Sequence, residues 1–218
     1  VVGVVSYTGN GGSTPKTVGH GLGVAPKMII IKPTNLTYDW MTYNENVGAT
    51  KGMCLNTTQA PFTSSNFNDT APTTSVFSVK NNATNETNGT YIAYCFADVQ
   101  GFSKMGSYTG NANANGPFVY TGFKPSFVII KRTNLANDWL TQDNKRYPIN
   151  ETVAKTLKPN SALAEGDTGN LDILSNGFKL RSTGTNTNAS GGTYIYMAFA
   201  ENPFVATSGT SAIPVTAR

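Results

Sequence analysis

Charge is what this sequence has least of. Only 13% of its 218 residues are Asp, Glu, Lys or Arg, about half the usual share. The 16 basic and 12 acidic residues leave a net charge of +4. They are spread along the chain, and no basic run exceeds the pairs Lys131-Arg132 and Lys145-Arg146. A nucleic-acid binder concentrates its basic footprint, so these charges read as solvated surface. Histidine is almost absent: His20 is the only one, beside two cysteines, Cys54 and Cys95. That set does not supply zinc ligands at metal spacing, and any Ser-His-Asp or Cys-His chemistry would have to use His20. No cofactor or metal motif is expected. The longest apolar run, Met28-Ile29-Ile30-Ile31, stops at Lys32, short of the roughly 18 residues of a spanning helix. Heptads are missing, as is a secretory apolar segment. Val1 in place of Met suggests a chain processed or cut from something longer.

In place of charge there are about 30 Thr and 24 Asn, with 22 Gly, 39% hydrophobic and 11% aromatic residues. The aromatic share excludes an ordinary disordered chain. Thr, Asn, Gly, Val and Tyr favour strands and turns. The two cysteines leave two readings open. One is a disulfide closing a loop of about 40 residues, worth roughly 3–4 kcal/mol. The other is a pair of thiols.

Internal repeats organise the chain. Ser6-Tyr7-Thr8-Gly9-Asn10 returns as Ser107-Tyr108-Thr109-Gly110-Asn111. Pro26–Lys32 returns as Pro125–Lys131, and Thr34-Asn35-Leu36 with Asp39-Trp40 returns as Thr133-Asn134-Leu135 with Asp138-Trp139. Val76–Val79 parallels Gly177–Leu180, and Gly89–Asp98 parallels Gly192–Glu201. The blocks keep their order at nearly constant offset. We therefore expect a duplication of a unit of about 100 residues, a normal domain size. The units are placed at 1–104 and 105–205, with a Ser/Thr/Ala-rich tail at 206–218.

Both halves read as β. Met28–Lys32 and Phe127–Lys131 are apolar on both alternating faces, as in a strand covered on both sides. Shorter strands are expected at Val2–Tyr7, Trp40–Tyr43, Val76–Lys80, Phe118–Thr121, Trp139–Thr141 and Leu171–Leu174. Asn81–Gly89 and Thr183–Gly192 read as loops, and a helix is expected only at Thr152–Leu157. In Tyr91–Asp98 the bulky face, Ile92, Tyr94 and Phe96, is expected to fill the core. The other face, Tyr91, Ala93, Cys95 and Ala97, is expected to admit a close neighbour. Ile195, Met197 and Phe199 repeat the bulky face in the second copy. The fold class is all-β, as two tandem β-sandwich (jelly-roll-like) units.

Little in the sequence points to catalysis. His20 opens a turn, His20-Gly21-Leu22-Gly23, and aligns with Val119 or Tyr120 of the second copy, so the unit folds without it. Asp39 and Asp138 each precede a Trp once per copy, which suits a structural or binding acid better than a glycosidase pair. Asp167–Asp172 has only part of a calcium-loop pattern. The sequons at Asn56, Asn82, Asn85, Asn88, Asn150 and Asn188 follow from an Asn/Thr-rich composition. Trp40 and Trp139 are expected mainly as core. Binding candidates are the residues that differ between copies: Tyr38 and Asn137 beside the Asp-Trp pairs, Lys145, Arg146 and Tyr147 in an insertion-like segment, and the Thr57–Thr74 loop.

Three blocks carry a resemblance: Ser-Tyr-Thr-Gly-Asn-Gly at 6–11, His-Gly-Leu-Gly-Val-Ala-Pro-Lys-Met-Ile-Ile at 20–30, and Tyr-Ile-Tyr-Met-Ala-Phe-Ala-Glu-Asn-Pro-Phe-Val at 194–205. They resemble a β-rich repeat domain of virion fibre and appendage proteins of tailed bacteriophages, especially marine ones. The ending Pro214–Arg218 is similar to their C-terminal finish. The resemblance covers nearly the whole chain and brings no catalytic residues. It implies a virion location, other virion proteins as partners, a homo-oligomer (fibres are commonly trimers), and the C-terminal part of a tail fibre contacting host-surface glycan. A capsid decoration or head-fibre protein is the alternative, and a polysaccharide-cleaving tailspike a third. No nucleic acid and no membrane insertion is expected.

Overall fold

A computed structural model describes residues 2–146, 150, 155–166 and 171–203. Strands and isolated bridges take up 42% of the described residues and helix 2%. The chain divides into two compact units, up to Ala97 and from Asp98. The boundary read from the sequence, 104/105, falls inside one strand, Ser103–Thr109.

The first unit contains β1 (Val2–Thr8), β2 (Lys16–Gly19), β3 (Met28–Pro33), β4 (Met41–Asn44), β5 (Lys51–Cys54), β6 (Phe62–Thr63), β7 (Val76–Val79), the single turn α1 (Asn82–Asn85) and β8 (Thr90–Phe96). One sheet runs β1-β8-β3-β4-β5-β6, and β2 pairs with β7 in a second. The second unit contains β9 (Ser103–Thr109), β10 (Phe118–Tyr120), β11 (Pro125–Arg132), β12 (Trp139–Asp143), β13 (Leu171–Leu174), β14 (Gly177–Leu180) and β15 (Thr193–Ala200). Its sheets run β9-β15-β11-β12 and β10-β14-β13. All the pairings are antiparallel. The order β1-β8-β3-β4 thus recurs as β9-β15-β11-β12.

Each core lies between the unit's two sheets. In the first, Ile29 and Ile31 of β3 and Tyr91, Ala93 and Cys95 of β8 meet Val18, Phe77 and Val79 from the opposite sheet. In the second, Val128, Ile130, Tyr194, Tyr196 and Ala198 meet Val119, Leu171, Ile173, Phe178 and Leu180. This is sandwich packing, with alternate residues of each strand turned inward. β3 is buried almost throughout, as its unbroken apolar run predicts: Ile29 and Ile31 enter the core between the sheets, and β8 and β4 flank it on both edges.

Three expectations are corrected. The inward face of β8 is Tyr91, Ala93 and Cys95, while Ile92, Tyr94 and Phe96 are only half-buried. Small residues there leave room for Phe77, so bulk is supplied from across the core rather than by β8 itself. Thr156 and Leu157 form bridges to Gly166 and Thr141 instead of ending a helix; the 152–154 part lies outside the described residues. Conversely, the one helical turn among the described residues, α1, falls in the stretch read as the loop Asn81–Gly89. The tail from 206 also lies outside the described residues.

Candidate functional site

The repeated motifs come first, since any site must be built on or beside them. In Ser-Tyr-Thr-Gly-Asn, the hydroxyl of Tyr7 donates to Thr84 O at 2.6 Å, and that of Tyr108 to Thr187 O at 2.7 Å. Tyr7 stacks on Tyr91 with ring centroids 4.9 Å apart, and Tyr108 on Tyr194 at 5.0 Å. The Tyr91 hydroxyl donates to Asn82 O and accepts from Glu86 N, both at 2.8 Å. Tyr194 does the same with Thr185 O and Ala189 N. Gly9 and Gly110 pass so close to the next loop that a Cβ would lie 2.1 Å from Glu86 O and 2.4 Å from Ala189 O.

Asn85 and Asn188 are fully buried. The Asn85 amide donates to Asn10 Oδ1, Gly11 O and Thr14 O and accepts from Asn10 N. Asn188 matches it with Asn111, Asn113 and Ser182. These two sequons are therefore closed to glycosylation in the folded chain. Asn35 and Asn134 similarly staple their loops, through Asn88 O and Thr90 N in one unit and Gly191 O and Thr193 N in the other. The shared motifs thus carry loop closure.

The candidate residues can now be placed. Tyr38 is half-buried, its hydroxyl 3.3 Å from Glu86 Oε2 and its carbonyl accepting from Lys32 Nζ at 2.5 Å. Asn137 bonds Thr185 O, and its carbonyl accepts from Lys131 Nζ. Lys131 is fully buried, 6.0 Å from the Trp139 ring centroid. Burial pulls its pKa down to about 8, against the pull of Asp138. Burial also opposes ionisation of Asp138, but hydrogen bonds from Lys158 and Asn160 outweigh it and leave its pKa lowered. The partners of Asp138 are thus a cation and an amide rather than a second carboxylate. Asp39 accepts from Asn56 at 2.8 Å.

Arg146 is held by Asp143 and Glu165, and Lys145 lies 3.7 Å from Glu201; Tyr147 lies outside the described residues. The Thr57–Thr74 segment contains β6 and sends Phe67 into the core. Trp139 is 1% exposed, whereas Trp40 is half-buried and stacks on Tyr94. Cys54 and Cys95 are buried thiols rather than a disulfide. His20 is buried, with Nε2 3.1 Å from Thr73 O and Nδ1 accepting from Leu22 N, a structural role. By strand register the equivalent position in the second unit is Thr121, one residue beyond the sequence alignment. Of the calcium-like stretch, Asp172 pairs with Arg181, and residues 167–170 lie outside the described set. No group of three or more metal-ligating side chains occurs among the described residues, and none of their helices is long and apolar enough to cross a membrane.

The clearest departure from the repeat is on β10. Val18 and Val119 occupy the same inward position, opposite Phe77 and Phe178. Their neighbours differ: Thr17 and Gly19 in the first unit, Phe118 and Tyr120 in the second. Phe118 is 46% exposed and Tyr120 65%. Tyr120 borders a cleft of about 440 Å³ lined by Asp98, Gln100, Ser103, Lys104, Thr121 and Gly122, with Val99. Gly122 has φ +85°, a conformation that favours glycine, and its amide bonds Asn176 O. Asp98 is fixed by Lys104 Nζ at 2.6 Å and Met105 N at 2.7 Å. The cleft therefore offers an aromatic face, a neutralised carboxylate–ammonium pair and an exposed amide at Gln100, while the Thr121 hydroxyl is buried and donates to Phe123 O. Sequence reasoning missed it, although the substitution of aromatics for Thr and Gly between copies was the available signal.

No curated protein and no solved structure matches the chain. A family model does, over residues 2–203 of the 218. The chain belongs to that family, described as a domain of unknown function, DUF7483.

Proposed function

We propose that the chain is a virion structural module, the C-terminal part of a tail fibre or appendage of a tailed bacteriophage, and that its second unit contacts a neutral saccharide of the host surface. The observation that carries the saccharide reading is Tyr120 standing 65% exposed beside the Asp98–Lys104 cleft. An exposed tyrosine offers an apolar ring face with a polar rim, which suits the C–H face of a sugar. Convergent polar groups around such a surface fix orientation. Lys104 is already matched by Asp98, so the pair favours a neutral sugar over an acidic one. The cleft lining includes one carboxylate, Asp98, whereas glycoside hydrolysis ordinarily takes two; this favours binding. The virion reading is supported by the motif resemblance and by a low-charge, Thr/Asn/Gly-rich surface chemistry.

The test is an array of bacterial surface polysaccharides probed with the labelled chain. Retention on neutral polysaccharides, lost in Tyr120→Ala, is the expected result. Retention unchanged in that variant, or none on any polysaccharide, contradicts the saccharide reading. Antibody labelling of phage particles tests location separately: label on tail appendages is expected, and label confined to the capsid shell would favour a decoration protein.

A further inference from the structure

β1 is the outer strand of the six-stranded sheet. The amide of Gly9 donates to Gly89 O at 2.8 Å, which sets the phase of the β1–β8 ladder. In an antiparallel pair, bonded and non-bonded residue pairs alternate. Thr8, Ser6, Val4 and Val2 therefore turn their N–H and C=O groups away from β8. Lys16 Nζ takes the Thr8 carbonyl at 2.5 Å. Among the described residues, no group bonds the outward amides and carbonyls of Val2, Val4 and Ser6.

The corresponding edge of the second unit is closed. Ser103 exchanges both backbone bonds with Val99 at 3.0 Å, Met105 N donates to Asp98 Oδ1, and Lys104 adds a charge. Sheets commonly guard their edges with charge, proline, bulges or cover. Apart from Lys16 at Thr8, β1 has none of these: its sequence, Val-Gly-Val-Val-Ser-Tyr-Thr, is uncharged, and its register against β8 is unbroken. Val2 and Val4 are 44% and 62% exposed. They continue the half-buried row of Phe96 and Tyr94 on the same face of the sheet.

We propose that this edge pairs with β1 of a second copy of the chain, antiparallel about a two-fold axis at Val4. An open row of alternating amides and carbonyls is complementary to a strand, and an uncharged strand offers a charged peptide no ionic match. A second copy brings the same pattern. Lys16 closes the Thr8 end, so among the described residues the open stretch is Val2–Ser6 and its centre is Val4. That register sets Val4 against Val4 of the copy and Val2 against Ser6, and gives about six backbone hydrogen bonds. The contact is isologous. It joins copies in twos, unlike the trimer implied by fibre resemblance, and it stands independently of the saccharide cleft.

Sedimentation velocity of the chain over a wide concentration range tests this. A monomer–dimer equilibrium is expected, with amide hydrogen exchange at Val2, Val4 and Ser6 slowed in the dimer. Val4→Pro removes an outward N–H that the β8 ladder does not use, and Val4→Lys adds charges that meet across the axis. Both should be monomeric with unchanged circular dichroism. A monomeric wild type, a trimer, or a dimer that survives Val4→Lys overturns the proposal.

Discussion

Asn85 and Asn188 show how much of each unit rests on a single side chain. Each amide donates to two backbone carbonyls and one side-chain oxygen while accepting one backbone amide. Removing such a side chain strands buried polar groups, which costs more than the bonds themselves were worth. Asn188→Ala is expected to lower unfolding free energy by about 3 kcal/mol. Asn188→Asp should do no better, because a carboxylate cannot donate to those acceptors. Urea denaturation reads both. The thiols give a second check. Burial pushes Cys95 up to about 12 and Cys54, with help from Asp39, up to about 11. Neither should react with an aromatic disulfide reagent at pH 8 until denaturant is added. A third concerns acid. Asp138 and Asp143 are held low by hydrogen bonds and cations that outweigh their burial, and Glu201 chiefly by Lys124. A carboxylate held low in the fold binds protons more readily when unfolded, so its contribution is present above the ordinary value and lost as pH falls below it. Thermal melts should weaken below about pH 4, less steeply in Asp138→Asn.

At the scale of elements, β8 is the instructive strand. Its sequence alternates large and small residues, and bulk alone suggests that the large side turns inward. The fold chooses the other side because the core already receives Phe77 and Val79 from β7. Ala93 and Cys95 complete that packing. Ala93→Leu is therefore expected to cost about 1–3 kcal/mol through overpacking. Tyr94→Leu, on the half-buried side, should cost less than about 1 kcal/mol. Denaturation midpoints of the two variants decide which face is core. A single sequence shows the period of such a strand but not what faces it, which is why strand positions were legible and face assignment was not. The unbroken apolar run of β3 had no such ambiguity, since both of its faces are covered. Likewise Leu171–Leu174 was placed to the residue, whereas β5 and β6, short and poor in alternation, gave no signal.

For the whole molecule, a scarcity of charge and an ordered set of repeated blocks were enough to read an all-β chain. The unit boundary was less legible, because Ser103 and Lys104 belong to the strand that carries the Ser-Tyr-Thr-Gly-Asn motif. The site was harder still. Lys145 and Arg146 differ between copies, yet they bind neighbouring acids. Phe118 and Tyr120 differ too, and their exposure depends on which face of β10 turns outward. In the proposed function, the repeated motifs hold the scaffold and the Tyr120 cleft of the second unit binds saccharide. Backbone chemical-shift mapping with oligosaccharides released from a neutral bacterial surface polysaccharide tests it most directly. Shifts clustered on Gln100, Ser103, Lys104, Tyr120, Thr121 and Gly122, and abolished by Tyr120→Ala, are expected. Shifts confined to the first unit, or none at saturating sugar, would contradict it.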